Sequence, residues 1–414
     1  MLHEQNKHWR EGFFYGYRKK REVFKELMEL LQKKQVIAIH GLRRVGKTVL
    51  MWQLIDHLVR NGMNRRNILY FSYDKAKLSV EELLKEYKKI TGVDIEKEKV
   101  YVFLDEVQKL ENWQEQVKFY YDLYGIKFVV SGSSSLFLKK GIESLAGRIF
   151  EINIPVLSFR EFLDFKNVKI KDIELQKLQI KNLFQEYLRK NFIEILDEEE
   201  KIIKLYYESI INKVIFEDIP GIFDIENPEK LKALFYFILE NPGMYINYDN
   251  LASYLSLNRR TVEKYLDYLV KANLVAKVYN FRKNFIISEK KMKRVYLTAP
   301  CFCFLMEFPK IDKIVENLAI VSERVKFFYR GGKGEEVDIV KKEKGKITAI
   351  EVKNSNKITK SEIKSLLSFM NRYGVSEGTV LTDDYEGKRE ETWFGKRMKI
   401  NFIPLWKWVL WLDR

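Results

Sequence analysis

The feature that most constrains this chain is a glycine-rich stretch at residues 41–48, with the sequence GLRRVGKT. It follows the apolar run 36–39 and leads into the apolar segment 49–55. A strand, the pattern G-x-x-x-x-G-K-T and then a helix form the context of a phosphate-binding P-loop. The glycines permit a tight backbone whose N–H groups surround a polyphosphate, and the start of the helix adds a favourable dipole. The stretch therefore predicts a nucleoside triphosphate site.

Each residue type in this loop predicts a role. Lys47 is expected to reach the β and γ phosphates, and Thr48 to place its hydroxyl group on Mg²⁺. ATP and Mg²⁺ are thus the expected ligands. The other predicted nucleotide contacts are Gly41, Arg43, Arg44, Val45, Gly46 and Val49.

An acidic pair closes a second apolar strand, VYVFLDE at residues 100–106. Ligands of open α/β sheets bind at the carboxyl ends of the strands. Asp105 is therefore predicted to hold Mg²⁺, and Glu106 to polarise the attacking water. The alternative, that the two acids only mark the end of the strand, is less favoured behind a P-loop.

Further candidates follow in the next strands. Ser131 and Ser133 end the strand that begins at residue 127, where a hydroxyl group can orient water or sense the γ-phosphate; a plain Gly/Ser turn is the alternative. Arg148 is a candidate for stabilising charge on the transferred phosphoryl group, or an ordinary surface arginine. Alternation of strands and helices here predicts a parallel sheet with crossover helices.

Together these motifs resemble the P-loop ATPases of the AAA-related, additional-strand class, in which the serine strand lies between the P-loop strand and the acidic strand. The likeness is strongest to a large archaeal and bacterial family of AAA-type ATPases. Its Arg-Arg-x-Gly-Lys-Thr loop, Asp-Glu-x-Gln motif and Gly-Arg pair match residues 43–48, 105–108 and 147–148. Its Pro-x-Ser-Phe-x-Glu-Phe element matches residues 155–162, with one extra residue before the serine. The resemblance implies an ATPase core at residues 1–157.

A lysine-rich helical pattern at residues 158–226 predicts a lid over the nucleotide. Residues 227–285 then show three helical patterns and a strand, as a winged helix does. Near the start of its last helix lie the candidates for DNA contact, Arg259, Arg260, Lys264 and Tyr265. The alternative is a module that couples domains or docks a protein.

The pattern changes again at residues 286–414. Glu316 lies in an apolar helix, Asp338 interrupts an apolar strand, and Glu351 and Lys353 share one face of the next strand because side chains alternate along it. Such residues can converge on a divalent metal, with Asp338 and Glu351 as its ligands, and hydrolyse phosphodiesters. The alternative is a polar face of a sheet.

This region resembles the PD-(D/E)xK nuclease fold, in which the AAA-type family named above commonly ends. Carried over by position, Glu316, Asp338, Glu351 and Lys353 are the catalytic candidates, and Glu336 is an accessory. The predicted fold class is therefore α/β: a P-loop NTPase parallel sheet with a helical lid, a winged-helix module and a C-terminal restriction-endonuclease-like domain.

Composition bears mainly on partners. The formal net charge of +16 favours an anionic partner such as nucleic acid or an acidic membrane surface, although a Lys- and Glu-rich surface of the kind found in proteins from hot environments fits too. Cys301 and Cys303 have no zinc or disulfide spacing and are expected to be buried. The polar first ten residues and the lack of an 18-residue apolar run predict a cytoplasmic protein without a membrane span.

The sequence thus predicts an ATP-hydrolysing molecular switch associated with nucleic acid, whose last domain binds or cleaves DNA. The alternative is a regulatory ATPase whose C-terminal domains only bind a protein partner. A homo-oligomer is compatible with both, and Arg148 acts either within its own subunit or across to a neighbour.

Overall fold

The computed structural model of the protein describes residues 1–133, 145–282, 288 and 292–412, and of Ser133 it describes the backbone alone. Two β-sheets organise these residues, one with five strands and one with nine. Every helix within the described ranges is too short or too polar to cross a lipid bilayer.

The first sheet consists of five parallel strands. They are β1 Val36–Gly41, β2 Ile68–Ser72, β3 Tyr101–Asp105, β4 Lys127–Ser133 and β5 Ile149–Ile154. Their spatial order is β2-β3-β4-β1-β5. The strand β4 lies between β1 and β3, which confirms the predicted insertion of the serine strand between the P-loop strand and the acidic strand.

Five helices accompany this sheet. They are α1 Leu2–Gln5, α2 Phe24–Leu31, α3 Lys47–Arg60, α4 Val80–Thr91 and α5 Trp113–Tyr124. The buried guanidinium of Arg21 donates to Glu161 and to the carbonyl oxygen of Val45, which anchors the segment before α2 to the rest of the fold.

The segment predicted as a lid is helical. It contains α6 Phe159–Phe165, α7 Lys177–Arg189 and α8 Glu200–Lys213. Helix α8 runs on into a π-helical turn, Val214–Asp218, and such turns are frequent at functional sites. Buried side chains of these helices join the same hydrophobic cluster as those of α3, so the lid packs directly against the P-loop domain.

Three helices and three strands follow, where the sequence predicted three helices and one strand. They are α9 Pro228–Glu240, β6 Met244–Tyr245, α10 Tyr248–Leu255, α11 Arg259–Lys271, β7 Val275–Asn280 and β8 Lys293–Leu297. The strand β8 pairs antiparallel with both β6 and β7. The boundary predicted between residues 285 and 286 lies outside the described residues, and the strand that follows it pairs back onto β7.

The remaining elements complete the second sheet. They are α12 Ile311–Ser322, β9 Phe327–Arg330, β10 Glu336–Glu343, β11 Lys346–Val352, α13 Lys364–Tyr373, β12 Glu377–Thr382, β13 Gly387–Trp393, β14 Lys396–Pro404 and α14 Leu405–Trp411. Because β9 pairs in parallel with β7, the sheet is continuous in the order β13-β14-β12-β11-β10-β9-β7-β8-β6. The two C-terminal regions predicted as separate domains therefore share one sheet.

Aromatic packing joins the second sheet to the lid. Phe302, in the short helical segment Pro300–Leu305, is fully buried against Phe192 and Tyr207 of the lid. Cys301 and Cys303 flank it and are buried free thiols, as predicted. Helix α14 packs on α6 of the lid, where the side chain of Arg160 donates to the carbonyl oxygen of Leu410.

Candidate functional site

The P-loop connects β1 to α3 through a backbone that depends on its two glycines. Gly46 has φ 93°, in the left-handed region, immediately before α3. A Cβ atom at Gly41 would lie 2.3 Å from the carbonyl oxygen of Ile154, so no larger residue fits there. The loop is therefore a close-packed turn that leads straight into the amino terminus of a 14-residue helix, the arrangement that binds phosphate groups.

Lys47 is buried at the start of α3, and its ammonium group stays inside the loop. Its Nζ atom donates to the carbonyl oxygens of Gly41, at 3.1 Å, and Leu42, at 3.0 Å. Burial lowers the pKa of this ammonium group, against the effect of the nearby Glu106 and Asp105 carboxylates. The charge is thus held at the centre of the loop, where phosphate oxygens can replace the carbonyl acceptors.

Three hydroxyl groups converge on the buried carboxylate of Asp105. Thr48 Oγ1 donates to Asp105 Oδ2 over 2.8 Å, and Tyr70 donates to the same oxygen over 2.9 Å. Ser131 donates to Asp105 Oδ1. Burial and the adjacent Asp105 raise the pKa of Tyr70, so its hydroxyl group remains a donor. The Thr48 hydroxyl and the Asp105 carboxylate are oxygen ligands of the kind Mg²⁺ prefers, and their contact fits the predicted metal site.

Glu106 follows β3 in a left-handed backbone conformation, with φ 54°. Its carboxylate accepts a hydrogen bond from the Gln108 amide, and its backbone N–H lies 3.4 Å from Ser131 Oγ. Glu106 lines a cavity of about 500 Å³ together with Lys47 and Thr48. The carboxylate therefore faces the space where phosphates on the P-loop would lie, as a base for water requires.

The two loop arginines extend to the lid. Arg43 forms a bidentate ion pair with Asp218 of the π-helical turn, with both N–O distances 2.6 Å. Arg44 pairs with Glu194, and its guanidinium also lies 5.0 Å from the ring centroid of Tyr206. Both arginine side chains are thus bound to acids of the lid, yet both also line the cavity that contains Lys47 and Thr48. Their role as nucleotide contacts stays a prediction.

Arg148 lies at the amino ends of β1 and β5, whereas the P-loop follows the carboxyl end of β1. It precedes β5, its carbonyl oxygen accepts from the N–H of Val36 at the start of β1, and its guanidinium pairs with Asp122. The P-loop begins at the other end of β1, roughly 17–20 Å away at the rise of a strand. The predicted role of Arg148 within its own subunit is therefore wrong for this geometry.

Two groups of residues at the P-loop were missing from the sequence-based prediction. Ser209, Ile210 and Lys213 of α8 line the same 500 Å³ cavity as Lys47. A neighbouring cavity of about 610 Å³ reaches Gly46 and Val49 of the loop, and other side chains that line it include Tyr17, Gln53, Phe165 and Ile193. Its lining combines these side chains with charged ones, Arg18, Lys19, Arg21, Arg44 and Glu194. In the sequence, the helical pattern of the lid was the one signal that predicted residues near the nucleotide other than the P-loop and strand-end motifs.

The acids predicted for the nuclease-like region do meet, but around an arginine. Arg294 of β8 extends its guanidinium to Glu316 Oε1 at 2.5 Å, to Glu336 Oε1 at 3.0 Å and to Asp338 Oδ1 at 3.4 Å. Burial, with Glu316 nearby, raises the pKa of Asp338 to about 6. Arg294 was not predicted from the sequence, because an isolated arginine in a strand carries no motif.

Glu351 and Lys353 lie beside this cluster as predicted from their alternation in β11. Lys353 Nζ is 2.9 Å from Glu351 Oε1, while Glu351 Oε2 is buried and has no hydrogen-bond partner within the described part of the chain. Burial and then the neighbouring Asp338 raise the pKa of Glu351 well above its usual range. Within the described ranges, no group of three or more His, Cys, Asp or Glu side chains is arranged to hold a metal ion. The carboxylates of Asp338 and Glu351 are instead paired with Arg294 and Lys353.

The helix predicted to contact DNA presents only part of the predicted set. Arg260 and Lys264 are exposed on α11. Arg259 is exposed but paired with Asp249, at 3.0 Å, and with Glu263. Tyr265 is a correction: it is buried, and its hydroxyl group bonds to the backbone of residue 227, so it belongs to the core.

Family models match three consecutive parts of the chain. Residues 33–163 match an AAA domain, residues 192–301 match a domain of unknown function, DUF8612, and residues 314–408 match a second domain of unknown function, DUF4143. The chain is also similar to two uncharacterized proteins of Methanocaldococcus jannaschii. One is 27% identical, covering 89% of this chain and 86% of the relative, and the other is 27% identical, covering 95% and 92%.

Solved structures give weaker likenesses. The replication initiator DnaA bound to AMPPCP and single-stranded DNA is 16% identical, with a TM-score of 0.32, over 63% of this chain and 91% of that one. AMPPCP-bound DnaA from Aquifex aeolicus is 17% identical, with a TM-score of 0.31, over 63% and 90%. From the family models and the geometry of the P-loop, the chain carries an AAA-type P-loop ATPase domain followed by C-terminal parts that match domains of unknown function.

Proposed function

We propose that this protein is an ATP-hydrolysing molecular switch that acts in association with nucleic acid. The observation that carries the proposal is the site at the carboxyl ends of β1 and β3, where Lys47, Thr48 and Glu106 line one cavity and Thr48 bonds to Asp105. Each of these side chains has the chemistry that phosphoryl transfer from ATP to water needs.

The proposed reaction assigns one role to each residue. The loop backbone and Lys47 bind the phosphate oxygens, and Glu106 takes a proton from the attacking water. As the water oxygen bonds to the γ-phosphorus, the bond to the β–γ bridging oxygen breaks and ADP and phosphate form. Ser131 holds the Asp105 carboxylate in orientation. Mg²⁺, held by Thr48 and Asp105, would offset the charge of the phosphates.

The lid contacts both the P-loop and the second sheet, so it can transmit a structural change from one to the other. Arg43 and Arg44 tie the P-loop to Asp218 and Glu194 of the lid. Helix α8, which continues into the π-helical turn that ends at Asp218, also carries Tyr207, whose ring packs on Phe302. Phosphates arriving at the loop would change the electrostatic environment of both arginines, and we propose that the lid transmits this change.

For the C-terminal half we propose a winged helix followed by a restriction-endonuclease-like domain that binds DNA. The element order from α9 to β8, with its three antiparallel strands, supports the first part. The order from α12 through β11 and α13 to β12 supports the second. Exposed Arg260 and Lys264 on α11 and the net charge of +16 favour phosphate contacts.

We also propose that Arg148 acts in a homo-oligomer, if it acts in catalysis at all. Its half-exposed guanidinium is too far from its own P-loop but accessible to a neighbouring subunit. Hydrolysis per subunit should then rise with protein concentration in the wild type, and Arg148→Ala should lose this rise. Hydrolysis that is independent of concentration would assign Arg148 to its surface ion pair with Asp122.

The test of the proposed function combines ATP hydrolysis with DNA binding. Lys47→Ala should lower the rate of ATP hydrolysis by about 10²-fold or more, because the phosphates lose their buried cation, whereas the exposed Lys75→Ala should not. Affinity for a labelled DNA duplex should fall steeply with salt. Hydrolysis without DNA binding at moderate salt would favour the alternative, a switch that docks a protein partner; no hydrolysis would refute the proposal.

A further inference from the structure

The carboxylates of the nuclease-like region are already supplied with hydrogen-bond donors. Glu316 Oε1 accepts from Arg294 and from Tyr296, at 2.8 Å, and Glu316 Oε2 lies 3.0 Å from Lys313 Nζ. Asp338 Oδ2 accepts from the backbone N–H of Val352 at 3.0 Å. The oxygens of Glu316 and Asp338 are therefore engaged by protein donors, and within the described part of the chain Glu351 Oε2 is the oxygen of this cluster that is buried without one.

The formal charges of the cluster also balance. Four acids, Glu316, Glu336, Asp338 and Glu351, face four cations. These cations are Arg294, Lys313, Arg330 and Lys353. A divalent cation bound at the buried side of this group, next to Arg294, Asp338 and Glu351, would add two positive charges to four cations already present, which is costly away from water.

Arg294 is the central cation of this group. Its side chain is only 4% exposed, while Glu336 is 31% exposed, so the guanidinium lies deeper than the rim of the cluster. Its Nε atom donates to the carbonyl oxygen of Gly243 at 2.6 Å, in the turn between α9 and β6. The same side chain thus fixes the winged-helix-like region to the acids of α12 and β10.

We propose that the guanidinium of Arg294 takes the place of a divalent cation among these carboxylates, so that the centre is a metal-free junction between the two C-terminal regions and does not cleave DNA. The inference does not depend on ATP hydrolysis. It deepens the proposed binding role of the last domain, because it removes the metal that cleavage would need.

The buried Oε2 atom of Glu351 indicates that the cluster would bind a divalent cation if Arg294 were removed. Among the described residues Glu351 Oε2 is buried and has no hydrogen-bond partner, and Asp338 and Glu351 adjoin the paired residues Ile339 and Ile350 of β10 and β11. Removal of the guanidinium would leave Glu316, Asp338 and Glu351 as neighbouring oxygen ligands with excess negative charge. Hard divalent cations bind such sets.

The experiment is a titration of nucleotide-free protein with Mn²⁺, followed by electron paramagnetic resonance of the free ion. Wild type should bind no Mn²⁺ at this centre, and Arg294→Met should gain a Mn²⁺ site that wild type lacks. The binding acquired by Arg294→Met should disappear when Glu351→Gln is added. Arg330→Met, which removes a cation from the rim that contacts only Glu336 among the four acids, is the matched control and should resemble wild type.

Two results would overturn the inference. The first is Mn²⁺ binding by wild type that Glu351→Gln weakens, since the metal would then displace Arg294; this comparison needs no Arg294 variant and stands even if Arg294→Met does not fold. The second is a folded Arg294→Met protein that binds no more Mn²⁺ than wild type. Neither result affects ATP hydrolysis by the P-loop, which the Lys47→Ala comparison tests separately.

Discussion

Asp105 is the residue at which three elements of the ATPase domain meet. Thr48 comes from α3, Ser131 from β4 and Tyr70 from β2, and all three donate to its carboxylate. A carboxylate that accepts several hydrogen bonds is fixed in orientation before a metal arrives, and such outer partners influence metal affinity strongly.

Tyr70 is therefore expected to matter although it does not reach the nucleotide. Tyr70→Phe should raise the Mg²⁺ concentration needed for half-maximal ATP hydrolysis by about tenfold, because Asp105 loses one donor that orients it. The measurement is the rate of ATP hydrolysis against Mg²⁺ concentration. Tyr73→Phe is the matched control, since Tyr73 is also buried but its hydroxyl group has no hydrogen-bond partner among the described residues. Equal Mg²⁺ requirements in both variants would contradict this role.

The sequence predicted the functional residues that lie together in short motifs. It missed the functional residues that only the folded chain brings together. The P-loop and the Asp105-Glu106 pair are short motifs whose positions follow from a strand end, and the structure brings them together. Tyr70 and Arg294 belong to unrelated stretches of sequence. Their roles depend on which strand lies next to which, and no local pattern encodes that neighbourhood.

The lid is the element that connects the nucleotide site to the rest of the chain. Asp218 and Arg43 are both largely shielded from water, with 11% and 24% exposed side chains, whereas Arg44 and Glu194 are about half exposed. Partly buried bidentate ion pairs are worth more than exposed ones. The Arg43–Asp218 pair should therefore dominate the contact between the P-loop and the lid.

Asp218→Asn should weaken this contact by about 1–3 kcal/mol and raise the KM for ATP, because Arg43 keeps its charge but loses the carboxylate that holds the lid in place. Glu194→Gln, at the exposed pair, should change the KM little. Steady-state ATP hydrolysis and hydrogen exchange of the segment 193–218 measure both effects. Faster exchange in Glu194→Gln than in Asp218→Asn would reverse the ranking of the two ion pairs.

Helix α11 is the element that we expect to contact DNA. Replacing both Arg260 and Lys264 by alanine should weaken DNA binding and lower the slope of log affinity against log salt by about two, one for each lost phosphate contact. Lys271→Ala is the control, because Lys271 lies at the far end of α11 and pairs with Asp267. Fluorescence anisotropy over a salt series gives the slopes. An unchanged slope in the double variant would place DNA binding elsewhere.

Among the elements, helices with strong local patterns, including α9, α10 and α11, were predicted well, and the position of β4 in the first sheet was predicted from the family resemblance. The parallel pairing of β7 with β9 was not predicted. Those strands are separated by more than 40 residues, and each is short, so the pairing depends on tertiary packing rather than on periodicity. For the same reason the sequence suggested two C-terminal domains where one sheet is found.

At the scale of the whole molecule, the P-loop domain and the nine-stranded sheet are joined through the lid. The ring of Phe302 lies 5.8 Å from that of Phe192 and 5.2 Å from that of Tyr207, measured between centroids. Hydrophobic side chains of all three regions belong to one cluster. A contact of this kind both stabilises the assembly and connects the motions of the parts it joins.

Phe302→Ala should lower the free energy of unfolding by about 3–5 kcal/mol, because it leaves a cavity between the lid and the second sheet. The milder Phe302→Leu keeps most of the apolar volume and should fold, yet it should reduce the difference in DNA affinity between the ATP-bound and nucleotide-free protein. Chemical denaturation and DNA titrations with and without ATP measure the two effects, and Phe308→Ala, at an 83% exposed position, is the control. If Phe302→Leu retained the full ATP-dependent difference, the lid–Phe302 contact would be structural only, and the signal would have to pass through α14 on α6.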